Sequence, residues 1–253
     1  MMVSVGATTS GKVSKKVEHG QRRRAVVEDL LADIFQGRIK AGEHLVINSL
    51  ARRFGMSPTP IREALVTLEG IGIVDIAPNC GAVVRRVTET DVREVCQVRR
   101  ALECAAVRLA CGRTDLSELR QLEAACRRQS AMLISEFGRD EGDSTPDSAD
   151  DVIGRAIEVA REVDSRLHDL IADSCGNRFL TKELGRLKLL FRTFRDVAWD
   201  RRSQADLPRF AEEAREHLAV IEALLAGDAT AASKAMTQHI RSGLKYWSRG
   251  LPK

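Results

Sequence analysis

The sequence predicts a mainly α-helical protein, in which an N-terminal winged helix-turn-helix precedes an all-α bundle of six or seven helices. Composition is the first reason, because Ala, Leu, Arg and Glu are plentiful and aromatic residues make up only 4% of the 253 residues, which favours helix over strand. The second is a helix–glycine–helix pattern with an extended exit in residues 49–74. The third is a series of long amphipathic segments from residue 89 onward, separated by helix breakers.

These observations divide the chain into a basic arm (1–23), a winged helix-turn-helix (24–88) and an all-helical domain (89–253). The arm is aperiodic and rich in Gly, Ser and Lys, which predicts disorder. A solvated tail is favoured over an arm that follows DNA phosphates. The first 88 residues hold 13 Lys/Arg against 8 Asp/Glu. That excess suits nucleic-acid binding, although an ordinary solvated surface explains it about as well.

The winged helix-turn-helix begins with a helix over residues 24–36, whose apolar residues recur at helical spacing: Val27, Leu30, Leu31 and Ile34. An extended link follows. Asn48 is the predicted N-cap of a second helix over 49–54, and Gly55 is its left-handed C-terminal stop. The third helix is predicted over 57–69, with Ser57 as its cap and its apolar side facing the core: Ile61, Ala64, Leu65 and Leu68. Strands are expected over 73–76 and 82–87, joined by a turn at 78–81, which makes a β-hairpin wing.

The third helix carries the predicted DNA contacts, because the second helix of a helix-turn-helix motif enters the major groove with its N-terminal residues at the base edges. Arg62 can bind guanine bidentately or hold a phosphate, and Ser57 and Thr59 suit phosphate or base contacts. Arg52 and Arg53 on the preceding helix are placed for the DNA backbone. The alternative is a helical hairpin packed inside a larger domain, against which the wing, the short turn and the polar outer face argue.

Six long helices are predicted in the C-terminal domain, at 89–111, 115–137, 152–175, 178–200, 208–226 and 229–248, with an acidic loop at 138–151. The six cysteines form no C-x-x-C pair, and Cys104 and Cys111 are interpreted as core residues on one helix. No apolar segment typical of a secretory signal opens the chain, and no apolar run approaches the ~18 residues of a membrane span. We expect a cytosolic protein with reduced thiols.

Three histidines in this domain lie on different predicted helices, namely His168, His217 and His239. Asp164 precedes His168 by four residues and therefore shares its helix face. His217 and His239 flank the short break between antiparallel helices at similar distances, so they lie at similar heights. Imidazoles with a carboxylate suit Zn, Ni, Fe or Mn, with coordination positions left open. Spacing alone weighs this metal site about equally against ordinary core or surface histidines.

Arg99 is a further candidate, because it lies on the first helix of this domain. A guanidinium directed into a bundle core needs an anionic partner, and an organic acid ligand would supply one. The alternatives are an exposed Arg99, like Arg100, or an ion pair with Glu103 at the i,i+4 spacing.

These motifs together resemble the GntR family of bacterial transcription regulators, in the FadR subfamily. LARRFGMSPTPIREALVTLEGIGIV is similar to the reader helix and exit of that family; VRRALE, DSRLH followed by GN, EHLAVIEALLAGDATAA and the late QHI resemble its ligand-binding domain. The resemblance covers residues 24–248, and six helices indicate the VanR-like branch. It implies that Asp164, His168, His217 and His239 bind a divalent metal (Zn, Ni or Mn), completed by a small carboxylate effector near Arg99.

For DNA, the resemblance implies contacts from Ser57, Thr59 and Arg62, with the wing near Gly81 reaching the minor groove. Two departures matter: Pro58 stands where the family often has arginine, and Asn79-Cys80 lacks a basic residue at the wing tip. The sequence therefore predicts a homodimeric, effector-responsive regulator, preferentially a repressor, that binds a palindromic double-stranded operator and no membrane. The rival hypotheses are a metal-dependent hydrolase-like enzyme using the same site and a regulator with a purely structural metal.

Overall fold

A computed structural model describes residues 10–77, 81–137, 149–200 and 207–247. The chain forms two compact units that divide between Val87 and Thr88. The N-terminal unit contains a three-stranded antiparallel sheet and three helices, and the C-terminal unit is helical. The predicted fold class is confirmed.

The N-terminal unit follows the order helix, strand, two helices and a hairpin. Its elements are α1 (Ser10–Phe35), β1 (His44–Leu45), α2 (Ile47–Phe54), α3 (Pro58–Gly70), β2 (Val74–Ala77) and β3 (Gly81–Val84). β3 lies between β1 and β2, and Val83 is opposite both His44 and Asp75. The segment interpreted as an extended link therefore supplies a third strand, which a two-residue run does not reveal in sequence.

Two local predictions in this unit need correction. Residues 10–23 of the predicted disordered arm are helical, because α1 continues toward the N-terminus from its buried half through Lys, Glu, Gln and Arg, which all favour helix. Asn48 does not cap α2, since that helix begins at Ile47 and its N-cap is the extended Val46. Gly55 does end α2, in the left-handed region at φ 61° and ψ 33°.

The core of the N-terminal unit forms where α1 packs on α3. All four residues predicted for the apolar stripe of α1 are buried, and so are the four predicted for α3: Val27, Leu30, Leu31, Ile34, Ile61, Ala64, Leu65 and Leu68. This packing fixes the orientation of α3, so that the opposite side of the helix carries the exposed Thr59, Arg62 and Val66.

The C-terminal unit has six helices within the described ranges: α4 (Glu89–Ala110), α5 (Leu116–Phe137), α6 (Ala149–Ser174), α7 (Arg178–Asp200), α8 (Leu207–Leu225) and α9 (Ala229–Trp247). A capping box between Thr88 and Asp91 begins α4. Left-handed glycines follow α4, α6 and α8 at Gly112, Gly176 and Gly227. No helix in the part of the chain that the structure describes combines the length and apolarity needed to cross a bilayer.

Apolar side chains of all six helices, α4 to α9, contribute to the main core of this unit, including Leu119, Leu122, Leu167, Leu184, Ile221 and Met236. The predicted packing roles of Cys104 and Cys111 are confirmed, since both are unpaired and partly buried against this core. The six described helices of this unit thus meet around one interior, and polar residues on their inner faces are brought together there.

Candidate metal centre and DNA-facing surface

Four side chains from three helices converge inside the C-terminal unit. Asp164 and His168 lie one turn apart on α6, His217 lies on α8 and His239 on α9. Each offers one ligand atom, and the four atoms all lie within 4.8 Å of one another. Asp164, His217 and His239 are buried and His168 is partly buried. The predicted set is therefore brought together in space.

The distances fit a single coordination sphere. Asp164 Oδ1 lies 3.5 Å from His168 Nε2, 3.5 Å from His217 Nε2 and 3.9 Å from His239 Nε2. His168 Nε2 and His239 Nε2 are 3.3 Å apart. Around one ion with bonds of about 2.1 Å, neighbouring octahedral ligands are about 3.0 Å apart and opposite ones about 4.2 Å. Only small side-chain shifts separate the four donors from that arrangement.

Two buried glutamates orient two of the imidazoles. His168 Nδ1 is hydrogen-bonded to Glu103 Oε2, and His239 Nδ1 is 3.2 Å from Glu216 Oε2. A carboxylate that accepts from Nδ1 leaves the lone pair on Nε2, where it faces the cluster; this is the usual support of a metal-binding histidine. The sequence analysis gave these glutamates no such role, because their partners lie 65 and 23 residues away along the chain.

His217 provides the direct test of whether these residues fit a metal. Its Nε2 is buried and has no hydrogen-bond partner in the described structure. A buried polar atom left without a partner costs about 1–3 kcal/mol, so such atoms are rare and call for a ligand. Because this nitrogen points to Asp164 Oδ1 and the other two imidazoles, the residues present fit a divalent cation.

The ionisation of the cluster is strongly perturbed. Burial and the neighbouring His217 lower the pKa of His239 to about 3, which keeps this imidazole neutral. Burial also disfavours a charged His168, but the Glu103 carboxylate outweighs it and raises the pKa of His168 to about 9. Without a metal ion this imidazole is therefore cationic, and a bound metal would replace the proton on Nε2. Burial likewise opposes ionisation of Glu103, and His168 with Arg99 overcomes it, so that the pKa of Glu103 falls to about 2. Glu103 is therefore an anion in the interior.

Arg99 is buried beside this cluster, with 4% of its surface exposed. Its Nε donates to Glu103 Oε1 over 2.6 Å, and its Nη2 is 3.1 Å from His168 Nε2. Its guanidinium lies over the Phe191 ring, 5.1 Å from the centroid. Arg99 is therefore buried in the bundle, as expected for a guanidinium directed into the core, and it also forms the i,i+4 ion pair with Glu103 that was considered as an alternative.

A cavity of about 190 Å³ adjoins the cluster. Asp164, His168 and Arg99 line one part of it, and cationic residues of α7 contribute further wall: Lys188, Arg192 and Arg195. Arg195 is buried and binds Asp164 Oδ2. The sequence analysis missed Arg195, because nothing in the spacing along α7 connects it with Asp164 on α6.

The predicted DNA-facing residues lie at the surface of the N-terminal unit. Ser57, Thr59 and Arg62 are exposed at the start of α3, and Arg52 is exposed on α2. The Ser57 hydroxyl makes no capping hydrogen bond, although Ser57 occupies the N-cap position. Ser57, Thr59 and Arg62 thus lie together at the N-terminal end of α3, the end that a helix-turn-helix presents to DNA.

Arg53 is placed differently from this group. It forms an ion pair with the buried Asp33 and lies over the Phe54 ring, so its guanidinium ties α2 to α1. Gly81 begins β3 at φ 95°, and a β-carbon there would overlap the backbone oxygen of Leu45. The remainder of the predicted wing turn, residues 78–80, lies outside the described residues.

Two family models match this sequence. The model described as "FCD domain" matches residues 94–242, and the model described as "Bacterial regulatory proteins, gntR family" matches residues 22–84. The chain belongs to the GntR family. Its N-terminal unit is the family's helix-turn-helix domain and its C-terminal unit is an FCD domain, which confirms the resemblance found in the sequence.

Curated relatives of this GntR-family chain include three regulators. The HTH-type transcriptional repressor RspR of Escherichia coli K12 is 26% identical over 212 residues, which are 84% of this chain and 82% of RspR. The HTH-type transcriptional regulator LutR of Bacillus subtilis 168 is 24% identical over 226 residues, 82% of this chain and 92% of LutR. McbR of E. coli K12 is 34% identical over 110 residues, 42% of this chain and 50% of McbR.

The solved structure of E. coli McbR/YncC has a TM-score of 0.62 at 21% identity and matches 90% of this chain and 97% of that one, so it supports the fold alone. The family and these relatives are DNA-binding transcription regulators. The GntR-family chain is accordingly a transcription regulator and not an enzyme.

Proposed function

We propose that this regulator is a repressor whose affinity for its operator is controlled by a small carboxylate metabolite bound at a metal centre in the FCD domain. The ligands would be Asp164, His168, His217 and His239. The observation that carries the proposal is the convergence of four donor atoms within 4.8 Å of one another. One of them, His217 Nε2, is buried without a hydrogen-bond partner among the described residues. Three imidazoles and one carboxylate suit Zn, Ni or Mn.

The contact between Arg195 and Asp164 limits this aspartate to one metal-binding oxygen. Arg195 holds Asp164 Oδ2, which leaves Oδ1 as the oxygen that faces the three imidazoles. A six-coordinate metal bound by four protein atoms would keep two positions for carboxylate oxygens, whereas a tetrahedral ion would be closed by the same four atoms. The cavity lies beside the donors, since Asp164 and His168 line it, and this favours a site that admits a ligand over a purely structural ion.

Arg99 is proposed to bind the carboxylate of the effector. It is a buried guanidinium on the cavity wall, and a guanidinium binds carboxylates with two parallel hydrogen bonds. Its contacts with Glu103 and His168 hold it at the edge of the metal cluster. An anion placed between the metal and Arg99 would meet positive charge on both sides.

The DNA contacts are proposed for Arg52, Ser57, Thr59 and Arg62, with the wing near Gly81 reaching the minor groove. Ser57, Thr59 and Arg62 are exposed at the start of α3 and Arg52 is exposed on α2, which supports this assignment. Arg53 would contact phosphate only with the part of its guanidinium that Asp33 leaves exposed. The regulator is proposed to act as a homodimer on a palindromic operator, because two-fold protein symmetry matches two half-sites.

Two measurements test the proposal in sequence. Metal-depleted protein is titrated with Zn²⁺, Ni²⁺ and Mn²⁺, and both forms are then titrated with a panel of acetate, lactate, malate, citrate and benzoate. We expect one metal per chain and acid binding only in the metal-loaded form. Metal that raises the melting temperature while leaving acid binding unchanged would identify a structural ion.

The switch is tested on an operator selected by the protein itself from random duplex DNA. Fluorescence anisotropy with the metal-loaded protein should show weaker operator binding once a bound acid saturates the cavity. An acid that occupies the cavity and leaves operator affinity unchanged would refute control by the effector while leaving the metal assignment intact.

A further inference from the structure

The cavity beside the metal cluster runs between α6 and α7. Arg195 binds Asp164 at one level of this helix pair, and Thr181 donates from Oγ1 to the backbone oxygen of Ala172 at another, so the two helices are antiparallel. On α6 these levels are about 12 Å apart along the axis. All four residues line the cavity. The cavity is therefore an elongated space with the proposed metal centre at one end.

A second group of charged side chains lies part-way along this space. Lys188 and Arg192, one turn apart on α7, both form ion pairs with Asp169 of α6. All three line the cavity and are partly buried. Because one carboxylate faces two cations, this group carries one positive charge in excess.

The charged side chains at the metal end form matched pairs. Arg99 is paired there with Glu103. Arg195 is paired with Asp164. A bound divalent ion would supply the excess positive charge at that end. Asp173, also on the cavity wall, is exposed, where water and salt screen its charge. The metal-loaded cavity would thus have an excess of positive charge at two separate positions.

This distribution of charge indicates the class of acid that the cavity accepts. We infer that the effector is a dicarboxylate, with one carboxylate at the metal and Arg99 and the other between Lys188 and Arg192. The inference rests on the proposed metal-bound effector and adds its chemical class. Asp169, which marks the second position, follows Asp164 by five residues, about 7.5 Å along the axis of α6. Short unbranched diacids can span such a distance between a metal and a cation.

The second position suits a carboxylate better than a phosphate. One carboxylate neutralises the single positive charge that Asp169 leaves on its two partners. A phosphate group carries about −1.5 to −2 at pH 7, and Asp169 would repel the part of that charge that the cations do not match. Phe191 and Leu184 add apolar wall to the same cavity. Such a wall favours the methylene groups of a diacid over the hydroxyl groups of a sugar acid.

Paired ligands test the second carboxylate in the full-length, metal-loaded protein. Malonate, succinate, glutarate and adipate are titrated by isothermal calorimetry, each beside its own monomethyl ester, which keeps one carboxylate and nearly the same length. We expect at least one diacid to bind at least about fivefold more tightly than its ester, because a charge-assisted contact in a partly buried site is stronger than one at the open surface.

Substitutions around the second position locate it. Lys188→Gln and Arg192→Gln should each lower the ratio of diacid to ester affinity by at least about threefold, because each removes one of two cations. Asp169→Asn should raise the ratio, because it removes the carboxylate that competes with the ligand. Arg186→Gln is the matched control and should leave the ratio unchanged, since Arg186 is exposed on the same helix and is not among the described residues that line the cavity.

The outcomes separate this inference from the proposed function. Esters that bind as tightly as their diacids, or a preference for a diacid that survives both cation substitutions, would overturn the inference and leave the metal-dependent carboxylate site intact. Phosphoglycolate binding more tightly than every diacid would assign the second position to phosphate and overturn the dicarboxylate. Acids that bind equally well without metal, or no acid binding at all, would refute the proposed function and the inference together.

Discussion

Replacement of His217 by leucine separates its role as a ligand from its role in packing. His217 is 2% exposed, and its Nε2 has no partner among the described residues. Leucine has a similar volume and no polar atom, so His217→Leu removes one of four donors and also removes the penalty of about 1–3 kcal/mol for the unpartnered nitrogen. The loss of favourable imidazole contacts offsets part of that gain. The free energy of unfolding of the metal-free variant should therefore lie within about 1 kcal/mol of that of the metal-free unchanged protein, or exceed it.

The metal-loaded proteins should differ much more. At a metal concentration of 100 times the dissociation constant, binding stabilises the folded state by about 2.7 kcal/mol. For a chain of this size each kcal/mol raises the melting temperature by about 2–4 °C, so the metal should raise it by about 5–11 °C. We expect this increase to be absent in His217→Leu and retained in the control His44→Leu, whose histidine is exposed in the other unit.

Thermal denaturation by circular dichroism, with and without chelator, measures both quantities, and elemental analysis measures occupancy. Full metal occupancy in His217→Leu would refute the assignment of this residue as a ligand. Destabilisation of the metal-free variant by more than about 3 kcal/mol would show that Nε2 is satisfied in the metal-free fold.

Three further outcomes are expected. Arg62→Ala should cost about 1–3 kcal/mol in operator binding if the residue contacts a base, and equal losses on operator and random DNA in anisotropy titrations would make it a phosphate contact. Gly81→Ala should destabilise the N-terminal unit in urea unfolding by more than Gly42→Ala, because both glycines have positive φ but only at Gly81 would the added β-carbon overlap a backbone oxygen. Positive φ alone costs about 1 kcal/mol. Equal losses of stability in the two variants would contradict the overlap. Burial raises the pKa of Cys126 to about 12, so iodoacetamide at pH 8 should modify the partly buried Cys111 before the buried Cys126, as mass spectrometry of the folded protein can show.

The fold followed from the sequence to the extent that local signals specify it. All six C-terminal helices end within a few residues of the predicted bounds, because glycines and short polar breaks interrupt a strong helical period. The secondary-structure predictions failed where the local sequence has no clear pattern. β1 has two residues and exists only because β3 pairs with it, and α1 extends to Ser10 through residues whose composition is typical of a tail.

The four proposed metal ligands were predicted from their spacing along the helices, and the structure places them together. Their supporting residues could not be found in that way. Glu103 reaches His168 across 65 residues, and Arg195 reaches Asp164 across 31. Such pairs depend on which helices are neighbours and how each is rotated, and the period of a single helix does not contain that information.

The sequence by itself determined the family, the division into two units and the residue types available for DNA and metal, since these follow from motifs and periodicity along the chain. Tertiary structure alone decided how those residues are used. It engaged Arg53 with Asp33 and left Arg62 exposed, it buried Arg99 beside His168, and it left His217 Nε2 without a partner among the described residues. The physical reason is that burial and pairing fix the charge and availability of a side chain, and both depend on segments distant in sequence.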